Sequence, residues 1–210
     1  NGTDFRSRYG WNLVAGDDEW FAPISAEVGP DGNVWVLDWY NFIVQHNPTP
    51  QGFKTGKGAA YETDLRDKTH GRIYRVVPTG AKAEAALSLK GATPEKLAET
   101  LKNPNLFWRL HAQRLLVESK NQEIVPTLVK MLEDTSDDEL GLNVGVIHAL
   151  WTLQGLNALN SVYNAQGDLV IQLIDHPSAA SSRAPLGALP KTGKTTFVLT
   201  GGKHLKAHEN

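Results

Sequence analysis

The chain has 210 residues, 40% of them hydrophobic and 21% charged, with a formal net charge of −2. This is the composition of a globular protein, with no electrostatic pull toward nucleic acid or an anionic membrane. Cysteine is absent, which excludes disulfides, thiolate zinc sites, a Cys nucleophile and covalent haem attachment within these residues. No apolar run reaches the roughly 18 residues of a membrane span, and no signal peptide stands at the start. Residue 1 is Asn rather than Met, so a processed chain or an internal fragment of a larger protein is expected.

Residues 1–80 are the aromatic part, with four of the six Trp and eight of the eleven Phe and Tyr residues. The stretch "ISAEVGPDGNVWVLDWY" reads as strand, tight turn, strand. In the turn "GPDG", Pro30 presets φ and Gly32 accepts a positive φ. Beyond it Val34, Val36 and Asp38 alternate with Trp35, Leu37 and Trp39, which predicts two distinct faces. A long polar connection over 47–68 carries Lys54, Lys57 and Lys68, and its default is a solvated loop. "GRIYRVVP" (71–78) then supplies another strand of β-branched and aromatic residues.

Residues 81–210 change to helical periodicity. Thr93-Pro94 followed by "EKLAETLK" has an N-cap, Pro at the first helical position and an acidic first turn. "NLFWRLHAQRLLVES" predicts a second helix whose apolar face runs through Leu106, Leu110, Gln113, Leu116 and Val117, with Ala112 and Leu115 beside it. "EIVPTLVKMLED" predicts a third helix, and "DDELGLNVGVIHALWTLQGL" a fourth with a stripe of Leu140, Val144, Ile147, Leu150 and Trp151. "LAETLKNPNLFWRLHAQRLL" (97–116) aligns with "VIQLIDHPSAASSRAPLGAL" (170–189), placing Asn103-Pro104 over His176-Pro177. Such an offset suits stacked helical hairpins. Pro185 and Gly187 predict that the last helix is short or broken.

"ALPKTGKTT" (188–196) fits the loose phosphate-loop pattern through Ala188, Gly193, Lys194 and Thr195. That loop requires a buried strand before it, and "HPSAASSRAP" is not one, so the match is read as chance.

"GWNLVAGDDEWFAPISAEVGPDGNVWVLDWYNFIVQHN" and "LRDKTHGRIYRV", followed by the Asn-Pro and His-Pro helical stretches, together resemble the large exported membrane-bound dehydrogenase proteins of planctomycete and verrucomicrobial type. The resemblance covers residues 10–78 strongly and 90–190 more weakly. It implies a fold of β and α segments in two parts. Residues 1–80 would be a terminal antiparallel β-propeller blade segment, like that of quinoprotein glucose and sorbosone dehydrogenases. Residues 81–210 would be a HEAT-like α-solenoid.

The function so implied is oxidation of a sugar or other alcohol in the periplasm or outside the cell. Pyrroloquinoline quinone (PQQ) and Ca²⁺ would be held in the parent protein, and electrons would pass to a c-type haem domain outside this chain. Partners would be the remaining blades and repeats, a cytochrome c domain or envelope proteins. The alternative is a non-catalytic scaffold binding protein or glycan in an envelope assembly.

The resemblance makes His70 the candidate general base toward a hydroxyl, Arg72 and Lys68 candidates for the quinone carboxylates, and Asp38 and Asp67 candidate Ca²⁺ ligands. The residues also admit a structural reading. "DKTHGRIYRV" can be a lead-in turn in which Asp67 caps the loop, His70 bonds backbone and Gly71 permits the bend, while Asp38 closes its strand and bonds across the sheet. His111 and His148 fall inside amphipathic helices and read as packed repeat residues. His46 lies beside the propeller-like segment, His204 and His208, at i and i+4, read as a solvated terminus before a metal pair, and Trp108 and Trp151 as packing.

Overall fold

The computed structural model of the chain describes residues 10–41, 51–52, 69–81, 87–160, 162 and 172–188. Asp67, Lys68, His46, His204, His208 and the Gly193-Lys194-Thr195 turn lie outside them. The chain divides into two compact units, one within Ser7–Ala86 and one from Leu87 onward.

The first unit is built on an antiparallel meander of β1 (Pro23–Val28), β2 (Val34–Asp38) and β3 (Arg72–Val76), in the order β1-β2-β3. The hairpin between β1 and β2 closes where the Gly29 amide donates to the Asn33 carbonyl at 2.9 Å and the Gly32 amide to the Gly29 carbonyl at 3.1 Å. Gly32 sits at φ +74°, a conformation that costs a residue without Cβ nothing. Asp31 at the turn accepts from the Asn33 amide and from Trp35 Nε1, and pairs with Arg75 on β3. These donors, the Trp35 indole foremost, hold the Asp31 carboxyl well below the usual carboxylate range. Cross-strand partners on β2 and β3 are Val34 with Val76, Val36 with Tyr74 and Asp38 with Arg72. Val36 and Asp38 are buried on that face, while Trp35, Leu37 and Ile73 stand exposed on the other.

The expected fold of propeller blades joined to a helical solenoid is corrected in its propeller part by this architecture. Among the described residues there is one open sheet of three strands, and β1 is exposed at all six positions. A propeller needs four-stranded blades packed face to face. The turn and alternation signals that suggested a blade specify local pairing only, and any antiparallel meander carries them.

The second unit holds five α-helices among the described residues: α1 (Pro94–Thr100), α2 (Leu106–Ser119), α3 (Val125–Met131), α4 (Val144–Gly155) and α5 (Ala179–Ala188). None is long and apolar enough to cross a membrane. They pack in solenoid-like succession, α1 on α2, α3 on α4, α2 on α4 and α4 on α5. Leu101, Leu116, Leu128, Leu132, Leu150 and Leu153 are fully buried between them. Three of the five starts have a side-chain cap. Thr93 accepts from the Lys96 amide, Asn105 from the Phe107 amide and Asn143 from the Val146 amide, satisfying donors that the first helical turn leaves open. α2 begins at Leu106 and α5 at Ala179, and 179 − 106 = 73, the offset of the internal alignment.

Two helical expectations are revised and a third is met. Leu106 and Leu110 are 48% and 51% exposed, and α2 buries Arg109 along with the expected Leu116 and its neighbour Ala112. The guanidinium of Arg109 turns this face inward by donating to the carbonyls of Asn103 and Pro104 at 2.6 and 2.8 Å. α4 starts at Val144, leaving Leu140 76% exposed, because Asp138 Oδ1 accepts from the amides of Leu140 and Leu142 and holds them in a loop. α5 is short, as Pro185 and Gly187 predict, at 10 residues against 14 in α2, and it runs through Pro185 unbroken. Gly187 lets it approach Trp151, whose ring would lie 3.3 Å from an added Cβ.

Buried polar groups join successive helices. Asn143 Nδ2 donates to the carbonyls of Asp134 and Ser136, while the Ser181 hydroxyl donates to the Asn143 carbonyl. His176 Nε2 lies 2.9 Å from the Asp134 carbonyl and its Nδ1 accepts from the Ser178 amide. Between α2 and α4, His148 Nδ1 lies 2.7 Å from Gln113 Oε1, fitting a neutral ring that donates. Burial first, and the positive Arg109 second, push the His148 pKa down to about 4.

Two expected outcomes follow for the helical unit. Gly155→Ala places a Cβ 2.6 Å from Val117 Cγ2, a stiff β-branched neighbour, and lowers stability by roughly 1–3 kcal/mol in denaturant titration. Val117→Ala in the same chain recovers most of that loss, whereas simple additivity of the two costs would contradict the close contact. His148 gives a pH dependence of fixed sign. Its folded pKa lies below its unfolded value, so its contribution is intact above about pH 6.5 and falls as pH drops toward 4. The loss reaches up to about 3 kcal/mol. His148→Gln flattens this part of the curve, and an unchanged pH profile in the variant would refute the assignment.

Candidate functional site

The end of the sheet where β2 finishes and β3 begins gathers the residues that sequence reasoning singled out. Asp38, the last residue of β2, is only 4% exposed. Its Oδ1 accepts from the amides of Ala22 and Tyr40, each at 2.8 Å, and its Oδ2 accepts from the Tyr74 hydroxyl at 3.1 Å. A buried carboxylate needs such donors, because an unpaired charge out of water is costly. The bond to the Tyr40 amide folds the chain back just after β2, and Tyr40 takes φ +52°, a left-handed conformation that a non-glycine residue keeps only where its surroundings demand it.

Arg72, the first residue of β3, is the register partner of Asp38. Its Nη1 donates to Asp18 Oδ2 at 3.0 Å and to the Tyr74 hydroxyl at 3.3 Å. The guanidinium carbon stands 3.5 Å from the centre of the Tyr40 ring, a cation–π contact. Tyr74, and after it Asp18, raise the Arg72 pKa further. Trp20 packs its ring 5.7 Å from that of Tyr40, and Phe21 meets Tyr74 edge to face at 5.7 Å. The result is one knot: Asp38 ties the segment before β1 to both other strands, and Arg72 ties β3 to Asp18.

His70 stands exposed at the lead into β3, with Nδ1 3.0 Å from the Thr69 hydroxyl. Gly71 beside it runs close to the Asp38 carbonyl. Of the five residues that the resemblance assigns, the structure joins Asp38 and Arg72 through Tyr74, places His70 two residues along the chain, and leaves Asp67 and Lys68 outside the described residues. Asp18, Tyr40 and Tyr74 complete the knot and were not singled out by sequence reasoning. The alternation of Arg72 and Tyr74 on β3 places both on the Asp38 face, a signal available once the register is known.

A Ca²⁺–quinone site does not fit the two residues the structure joins. The Asp38 oxygens are turned to two amides and a phenol in a nearly closed environment, whereas Ca²⁺ takes six to eight oxygen ligands. Among the described residues no group of three or more His, Asp or Glu side chains is placed to hold a metal. Arg72 already spends its charge on Asp18 and its flat face on Tyr40. What the arrangement does is mechanical: it fixes the open end of a small sheet.

Residues 1–80 are similar to the family described as a domain of unknown function, DUF7133. No curated protein and no solved structure is significantly similar to the chain.

Proposed function

We propose that this chain is a non-catalytic holding segment of an exported oxidoreductase of the dehydrogenase kind that its paired motifs resemble. The parent protein oxidises a sugar or other alcohol and hands the electrons to a c-type haem domain elsewhere, and the chemistry is carried by parts other than the residues described. The observation that carries the holding role is the commitment of Asp38 and Arg72 to internal bonds. These motif residues serve the fold, so the oxidoreductase part of the reading rests on sequence resemblance.

A second reading is favoured by the exposed row of Trp35, Leu37, Ile73 and Trp39. Apolar side chains gathered on one open sheet face belong to a surface that meets something, which suits a scaffold for protein or glycan in an envelope assembly.

Dye-coupled oxidation of a panel of sugars and alcohols by the native protein, with His70→Ala and Arg72→Ala variants, tests the proposal. The holding role predicts that His70→Ala keeps kcat/KM within about twofold, since loss of a general base costs on the order of 10²–10⁴. A loss of that larger size would place catalysis at His70 and overturn the holding role. Native protein with no alcohol-dependent dye reduction and no haem or quinone absorption would overturn the oxidoreductase reading and leave the scaffold.

A further inference from the structure

The sheet of the first unit has two edges, and they differ in a way that bears on association. In an antiparallel ladder, alternate residues turn their N–H and C=O groups to opposite sides of the strand. The Gly29 amide bonds the Asn33 carbonyl, and β1 then pairs Val28 with Val34, Glu27 with Trp35 and Ala26 with Val36. Glu27 and Ser25 therefore direct their backbone groups toward β2, and Ala26 and Val28 direct theirs outward. Ile24 stands in the irregularity between Pro23 and Ser25, where the regular alternation is interrupted. All of β1 is exposed.

A second β1 can dock antiparallel on this edge only where outward groups meet outward groups. The centred register that does so sets the outward groups of Ala26 against those of Ala26 of the second copy, with the side chains of Val28 and Ile24 near each other at either end. Side chains agree with it: apolar residues oppose apolar ones on one face, and Ser25 opposes Glu27 on the other, so no like charges meet. "PISAEV" is thus self-complementary about Ala26, as a two-fold interface requires.

The other edge is guarded. By the same alternation β3 turns the groups of Ile73, Arg75 and Val77 outward, and self-pairing about its centre would set Arg75 against Arg75. Charged residues on an edge strand are a common defence against such pairing. β1 carries no charge at its centre.

We infer that β1 is a self-association edge, through which two copies of this chain join their three-stranded sheets into one sheet of six strands. A strand pair of this length is a small interface, so the dimer is weak, with a Kd on the order of tens of micromolar.

Sedimentation velocity of the 210-residue chain over about 5–300 µM tests the inference. The expected result is a monomer–dimer equilibrium. Ala26→Pro should weaken it at least tenfold while leaving the β1–β2 ladder intact, because the lost amide faces outward. Ala26→Lys, which sets two ammonium groups together at the two-fold axis, should do the same without altering the backbone. Because the chain has no cysteine, Ala26→Cys should give a disulfide-linked dimer under mild oxidation much faster than Glu118→Cys on α2. A wild-type chain that stays monomeric throughout would overturn the inference. So would a dimer that both Ala26→Pro and Ala26→Lys leave unchanged, or equal cross-linking rates at positions 26 and 118.

Discussion

The first unit depends on the carboxylate of Asp38. A three-stranded sheet with two open edges buries little, and the bonds that bind its pieces must come from somewhere other than a large core. Asp38 supplies them by accepting from Ala22 ahead of β1, from Tyr40 just past β2 and from Tyr74 on β3. Hydrogen bonds to an ionised acceptor are stronger than neutral ones, and each donor here would otherwise need its own partner. Arg72 extends the same knot to Asp18, with the Tyr40 ring under its guanidinium. At the opposite end Asp31 does similar work, joining the β1–β2 turn to Trp35 and Arg75. Two aspartates, one at each end of the sheet, thus fasten segments that apolar contact alone would hold loosely.

The helical unit uses polar groups differently. Its leucines fill the space between helices, and the buried polar side chains specify how successive helices meet. Asn143 caps α4, reaches back to the Asp134–Ser136 loop and receives a bond from Ser181 on α5. Arg109 bonds the turn that precedes its own helix, and its Nε is buried without a partner. The fully bonded network around Asn143 rejects alternative packings, because any other arrangement strands its donors and acceptors. Burial of His148, and after it the positive charge of Arg109 nearby, explains why the imidazole stays neutral there.

Local features were legible in the sequence, and long-range ones were not. "GPDG" announces a tight turn, Thr93-Pro94 a helix start, and the 73-residue offset between Asn103 and His176 locates α5 relative to α2. These follow from residue types acting on their neighbours. The orientation of α2 was misread because apolar periodicity ranked Leu106 and Leu110 above Arg109, and nothing in the periodicity shows that a guanidinium will cap the preceding carbonyls. The propeller expectation failed for a related reason. Hairpin signals describe pairs of strands, while the number of strands and what covers their faces are properties of the whole assembly. Tyr74 and Asp18 went unnoticed as partners of Asp38 and Arg72 because they lie 36 and 54 residues away along the chain. Asp38 and Arg72 themselves were picked out, and the resemblance alone supplied a chemical role that their bonding does not match.

The central claim is that Asp38 holds the sheet together and does not hold a metal. Thermal unfolding of Asp38→Asn, with and without added Ca²⁺, tests it most directly. The amide has nearly the shape of the carboxylate but replaces one charged acceptor by a donor, which faces either the Tyr74 hydroxyl or the two amides. The account predicts a first unit destabilised by roughly 2–4 kcal/mol, with Ca²⁺ changing neither the wild-type nor the variant midpoint. A wild-type midpoint that rises with Ca²⁺, and a variant that keeps the metal-free stability but loses that rise, would make Asp38 a ligand and contradict the account.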